Sequence, residues 1–295
     1  MKRLSIIILI TFLMPALAMA GGASASFLKL GSGARAIGMG NAFSAIANDI
    51  NSITLNPAGL SNMRNKEMSA TFANLFAGMQ YGFIGWGMPI SKLDATFALG
   101  VQYLNSGEIE QRNANRQKVG NYANKDMAIN MGYGRKFSNI NLNLGINLKY
   151  IISQIEEERA RAFAMDIGGI YKTKHGMNLG LVVQNMGSGL KYIDKTNSLP
   201  LTLTVGAGYQ IKTGTLLVMD IKNSVYEKKT TISLGMEYSI LPMFNLRTGY
   251  LTGNDLQSLS GGFGIAIAKD YNLDYAFTPY GELGSTQRIS LKARY

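Results

Sequence analysis

Phe27 to Leu60 reads FLKLGSGARAIGMGNAFSAIANDINSITLNPAGL, and the reading of this stretch decides the fold. It is rich in Gly and Ala, weakly helical, and closes on Asn56-Pro57-Ala58-Gly59-Leu60. Asn56 is a good N-cap and Pro57 suits the first helical position, which predicts a short, rigid helical turn at its end. Small side chains let a backbone pack tightly inside something larger. The stretch is expected to be a plug, and the rest of the chain the wall around it.

From about Lys66 onward the pattern has a period of two. The clearest case is Ile140 to Tyr150, where Ile140, Leu142, Leu144, Ile146, Leu148 and Tyr150 alternate with Asn141, Asn143, Gly145, Asn147 and Lys149. A soluble sandwich gives that outline, with core on one side and water on the other. A membrane barrel gives it too, with lipid outside and a polar lumen within. Fourteen such runs lie near 66–76, 78–89, 94–105, 125–136, 139–152, 161–173, 176–187, 201–212, 214–223, 229–239, 242–252, 258–268, 270–279 and 285–295. Connections after even-numbered runs are short, whereas several after odd-numbered ones are longer, Ser106 to Asn124 and Ser153 to Ala160 among them. Outer-membrane barrels have short periplasmic turns and longer outside loops. Around Tyr81, Phe83 and Trp86 both faces are apolar and Gly82, Gly85 and Gly87 interrupt the run, which predicts a bulge or a close backbone approach.

The opening stretch resembles the N-terminal hatch of the FadL-like outer-membrane barrels, and is most similar to the branch that includes the PorV and PorQ proteins. The likeness runs almost without interruption from Phe27 to Leu60, and Asn56-Pro57-Ala58 corresponds to the NPA of the FadL hatch. Beyond Met63 only the strand pattern and the terminal aromatic carry it. The resemblance implies an all-β fold: a transmembrane antiparallel β-barrel of about fourteen strands with a small N-terminal helical hatch in the lumen. It also implies the outer membrane of a Gram-negative-type bacterium. Two uses follow from it. One is a barrel associated with the secretion or attachment of surface proteins, partnered by secretion-system proteins. The alternative is a channel for small hydrophobic compounds, with a ligand site near Asn56, Pro57 and Ala58 and a lateral opening near Tyr81, Phe83 and Trp86.

Composition bounds the same reading. The 295 residues are 46% apolar and 16% charged, with 34 Gly, 6 Pro and no Cys. Met1 to Ala20 has a basic start at Lys2 and Arg3, an apolar core from Leu4 to Leu17, and an Ala18-Met19-Ala20 cleavage site, the marks of a signal peptide. The expected organisation is residues 1–20 as leader, 21–63 as hatch and 64–295 as barrel. No later stretch approaches the ~20 apolar residues of a spanning helix, so a membrane form must be a closed barrel. Loss of Lys2 and Arg3 would take the formal charge from +11 to +9. The charges are scattered without a basic cluster interleaved with stacking aromatics, which argues against nucleic acid as a partner. Lipid of the outer membrane is the expected surroundings.

The sequence offers little to catalysis. Gly31-Ser32-Gly33-Ala34-Arg35-Ala36 matches a dinucleotide fingerprint formally but lacks a preceding buried strand. His175 is the one histidine and sits in a tight turn with no second metal ligand and no triad partner. Glu156-Glu157-Glu158-Arg159 reads as a charged outside loop. No enzyme activity, metal or cofactor is expected. Asp166, Asp220, Lys222, Glu237, Arg247 and Asp274 fall on the inferred lumen face and are expected to pair with one another or with Arg35 and Asp49 of the plug. Ile289, Leu291, Ala293 and the terminal Tyr295 share one face of the last run, a pattern resembling the signal read by the barrel-assembly machinery.

Overall fold

A computed structural model describes residues 23–211, 214–253 and 259–295. The leader read in residues 1–20 lies outside them. Fourteen antiparallel strands close into one barrel, each next to its chain neighbour. Closure joins β1 (Glu67–Asn74) to β18 (Ser285–Arg294), in a register running from Glu67 opposite Arg294 to Asn74 opposite Gln287. Between them come β2 (Gln80–Ile90), β3 (Ala95–Asn105), β6 (Asn124–Phe137), β7 (Leu142–Ile155), β8 (Glu158–Lys172) and β9 (Met177–Gly187). The circuit continues through β12 (Thr202–Gln210), β13 (Thr215–Ser224), β14 (Lys229–Leu241), β15 (Phe244–Thr252), β16 (Leu259–Ala268) and β17 (Tyr271–Pro279). Two small hairpins, β4 (Ile109–Arg112) with β5 (Lys118–Tyr122) and β10 (Leu190–Lys191) with β11 (Thr196–Asn197), ride in the connections. All fourteen alternating runs become strands whose ends move by three residues or fewer.

The period of two does what a barrel wall requires. On β7 Leu144, Ile146 and Leu148 point outward and are exposed, while Asn143, Asn147 and Lys149 point inward and are buried. On β1 Met68 and Phe72 face out, and Glu67, Ser69, Thr71 and Ala73 face in. Lipid is the solvent such an apolar exterior fits, and closure leaves no unpaired strand edge within it. The chain is an outer-membrane β-barrel. The short turns, such as Ser91–Leu93 and Ser138–Ile140, mark the periplasmic end.

Two local expectations need correction. Ser153 to Ala160 is not a long loop: β7 and β8 stay paired to Ile155 opposite Glu158, leaving a two-residue turn in which Glu156 takes a φ of 55°. The second concerns β2, which pairs with β1 and β3 in unbroken register despite its glycines. Gly85 and Gly87 face the lumen and make room there for the Phe83 ring and for Ile50 and Met63. Close approach, rather than a bulge, is what these glycines serve.

Candidate functional site: the plug and its seat

The lumen is occupied by the chain's own N-terminal segment. It contains short helical turns at Ser26–Lys29, Ala34–Gly38, Ser52–Leu55 and Pro57–Asn62. Asn56 caps the last of them, its Oδ1 accepting the Ala58 N–H at 3.1 Å. The same side chain donates through Nδ2 to the Ser44 carbonyl at 2.7 Å, so one asparagine ties two turns of the plug together. Pro57 and Ala58 are buried against the wall.

Around half of the circumference the seat is polar. Arg35 makes a fork-to-fork pair with Glu237 of β14, both contacts at 2.8 Å, and also reaches Asn48. Glu237 accepts from Arg247 of β15 at 2.7 Å, and Arg247 donates on to Asp274 of β17 at 2.6 Å. Burial by itself would lower the Arg35 pKa, but the Glu237 carboxylate outweighs it and holds the guanidinium charged above its ordinary range. Asp49 pairs with Lys292 of β18 at 2.6 Å. Burial would push the Asp49 carboxyl up, yet the cations of Lys292 and Arg35 prevail and hold it below the usual carboxylate value. Asp220 of β13 accepts the N–H groups of Phe43 and Ser44 and the Ser44 hydroxyl, which satisfies a turn of plug backbone from the wall.

Around the opposite half the seat is built largely from absent side chains, a device that Gly235 of β14 and Gly249 of β15 also use against Met39 and Gly40. A Cβ added to Gly145 of β7 would lie 2.2 Å from the Pro57 carbonyl carbon, and one on Gly134 of β6 would lie 2.9 Å from the Pro57 oxygen. Gly168 of β8 would strike Asn56 Oδ1 at 1.9 Å, and Gly180 of β9 would meet the Ser44 carbonyl at 2.6 Å. Gly132 leaves room for Leu60 and Ile53. Toward the extracellular end Phe27 and Leu28 pack with Ile151, Ala162, Leu190 and Leu199, and fill the upper lumen with apolar contacts.

Sequence reasoning placed Arg35 and Asp49 in a plug–wall charge network, and both are there. It did not name Lys292 as the partner of Asp49, although Arg288, Ser290 and Lys292 alternate with the outward Ile289 and Leu291 on the last strand. Also missed was a break in register between β8 and β9 around Asp166, where Gln184 and Asn185 both turn inward. There Lys149 pairs with Asp166 at 2.8 Å and donates to Asn185, while Gln184 donates to the Thr54 carbonyl of the plug. Bulges have weak sequence signatures, because the extra residue keeps its ordinary identity.

Tyr81, Phe83 and Trp86 do not share a face. Tyr81 and Phe83 are buried in the lumen, whereas Trp86 lies outside and donates its indole N–H to the Tyr295 hydroxyl at 2.8 Å. Ile289, Leu291 and Tyr295 are all exposed on the outer wall.

Comparison with known proteins agrees with this architecture. A family model described as "Type IX secretion system protein PorV" matches residues 19–223. No curated protein matches the chain. Among solved structures, the toluene transporter TbuX of Ralstonia pickettii is similar with a TM-score of 0.69 at 13% identity, covering 90% of this chain and 98% of its own. The CymD monoaromatic hydrocarbon channel is similar with a TM-score of 0.64 at 12% identity, over 93% and 99% of the two chains. A Pseudomonas aeruginosa FadL homologue gives 0.60 at 12% identity, over 90% and 98%. At these identities the likeness shows the fold alone.

Proposed function

The chain belongs to the PorV family, and from that premise we propose that it is a non-enzymatic barrel serving the secretion or attachment of surface proteins at the outer membrane. One observation carries the reading: the plug is bonded to the wall on both sides of the lumen, through Glu237, Asp220 and Lys292 on one side and against Gly134, Gly145 and Gly168 on the other. A barrel stoppered by its own backbone works through its surfaces, and its extracellular connections carry the Ile109–Tyr122 and Leu190–Asn197 hairpins. Export by cleavage after Ala20, and insertion guided by the Ile289, Leu291 and Tyr295 face, complete the proposal. It is supported by the leader pattern and by the terminal alternation.

Uptake of small hydrophobic compounds is the second reading. Its support is the apolar cluster of Phe27, Leu28, Leu190 and Leu199 in the upper lumen, together with the hydrocarbon channels among the similar folds. In this reading ligand bound near Asn56, Pro57 and Ala58 shifts the plug. Deletion of the gene in its host separates the two. Loss of protease-accessible surface proteins, with normal uptake of radiolabelled toluene, is the outcome expected for the secretion role. Intact surface proteins with impaired toluene uptake would reverse the choice.

A further inference from the structure

At the periplasmic end, below the plug, the barrel encloses a cavity of about 800 Å³. Arg35, Arg64, Lys136, Lys172 and Arg294 line it, with Glu67 as the one carboxylate on its wall among the described residues. The register fixes which way the two lysines face. Lys136 continues the inward series Asn130, Gly132 and Gly134 on β6, and Lys172 continues Gly168 and Ile170 on β8. Arg64 lies in the short link between the plug and β1.

Three of these cations differ from the paired ones in the lumen. Lys149 is matched by Asp166, Lys292 by Asp49, Arg247 by Glu237 and Asp274, and Arg294 by Glu67. Glu67 is committed twice, since it also accepts the Ile50 N–H. The side chains of Arg64, Lys136 and Lys172 make no ion pair or hydrogen bond among the described residues. All three are exposed to solvent around one vestibule, and an anion that enters it gains from three cations without competing with a carboxylate partner of theirs.

The spacing argues for an anion of some length. Strands β6 and β8 flank β7, and Lys136 lies level with Ile170, so the backbones of Lys136 and Lys172 stand two strand spacings and two residues apart, on the order of 12 Å. A compact anion would have to draw both flexible stems together, whereas a longer one meets the cations with their stems extended. An extended peptide rises about 3.3 Å per residue, which places same-face carboxylates four residues apart at about 13 Å. Between the lysines lie Asn141, whose amide suits main-chain N–H and C=O groups, and Asn143, which already donates to Asn62 Oδ1 and offers its oxygen. We propose that this vestibule binds a carboxylate-bearing ligand from the periplasm, foremost an acidic stretch of extended peptide. The assignment rests on the barrel and its orientation alone, and holds whichever role the extracellular face serves.

Purified full-length barrel in detergent, titrated against fluorescein-labelled hexaglutamate and read by fluorescence anisotropy, tests it. Saturable binding that weakens with added salt is expected. The triple variant Arg64→Gln, Lys136→Gln, Lys172→Gln should weaken binding about tenfold or more, while Arg112→Gln with Lys118→Gln in the extracellular hairpin should leave it unchanged. Succinate that displaces the peptide at matching concentrations would assign the site to free dicarboxylates; succinate that fails to displace it assigns the site to peptide. Absence of saturable binding by either probe overturns the proposal. So does undiminished binding to a triple variant that keeps its heat-modifiable folded band. Should the triple variant not fold, Lys172→Gln alone, next to a turn, should give a smaller loss in the same direction, and unchanged affinity there would also overturn it.

Discussion

The two halves of the plug's seat hold the same segment with different balances of charge and close approach. Along β13 to β18 the wall reaches inward with charged side chains, and Glu237 alone engages Arg35 and Arg247. Along β6 to β9 the wall mostly withdraws, with Gln184 on the Thr54 carbonyl and Asn143 on Asn62 as polar links, and glycines let Asn56, Pro57 and Leu60 approach strand backbone. Charge pairs fix orientation, because each requires one particular partner in place. Glycines fix distance, because any side chain there would occupy the plug's own volume. A stopper that must be both sealed and correctly turned uses both devices.

The comparison is broken most severely on the glycine side. Gly145→Leu should expel the Pro57 turn, since overpacking a tight contact costs about 1–3 kcal/mol and here the obstacle is backbone rather than a side chain that could rotate away. Planar-bilayer recording should show an open-pore level absent from the native barrel. Gly169→Ala, on the outward face of β8, should remain closed. A closed Gly145→Leu barrel would mean that the glycine seat does not hold the plug.

On the polar side the effect should be smaller and energetic. Glu237→Gln leaves Arg35 and Arg247 facing each other without their shared carboxylate. Removing one partner of a buried pair costs about 3–5 kcal/mol, and the partial exposure of Arg35 places this case at or below the lower end. Urea unfolding in liposomes should show that loss, and replacing Arg35 by Met in the same protein should recover part of it. If Glu237→Gln unfolds like the native protein, the network contributes packing and not charge.

The smallest expected effect is that of pH. The Asp49 carboxyl is held below its ordinary range by Lys292 and Arg35 against the opposing effect of burial. A depressed carboxylate contributes stability that is complete above its unfolded value, about 3.9, and lost as pH falls through the lower folded value. Protease protection of the plug should therefore stay constant from pH 7 to pH 5 and decline only below about pH 4. In Asp49→Asn that acid step should shrink. Loosening that begins near pH 6 would show that some group other than Asp49 governs the seat.

Much of this molecule was legible before folding. Alternation on β7 gave both the strand and its faces, because a period of two is a local property of the backbone. The Gly- and Ala-rich opening gave the plug, and Asn56-Pro57 its final turn, since capping involves residues only a few positions apart. The Ser153–Ala160 connection misled because its charges read as loop, whereas the hairpin pairing extends to Glu158. At β2 the glycines gave two signals at once, and only the plug side chains beneath Gly85 and Gly87 decided between them.

By itself the sequence determined a closed wall, the side of each strand that meets lipid, and the segment that fills the lumen. Tertiary structure alone decided which wall residue meets which plug residue: Asp49 with Lys292, 243 positions away, and Arg35 with Glu237, 202 away. Those choices depend on barrel closure and on the register of every intervening strand, where a slip of one residue turns a face from lumen to lipid. Periodicity is a property of neighbours along the chain, whereas the pairing that seats the plug is set by the circumference of the whole barrel.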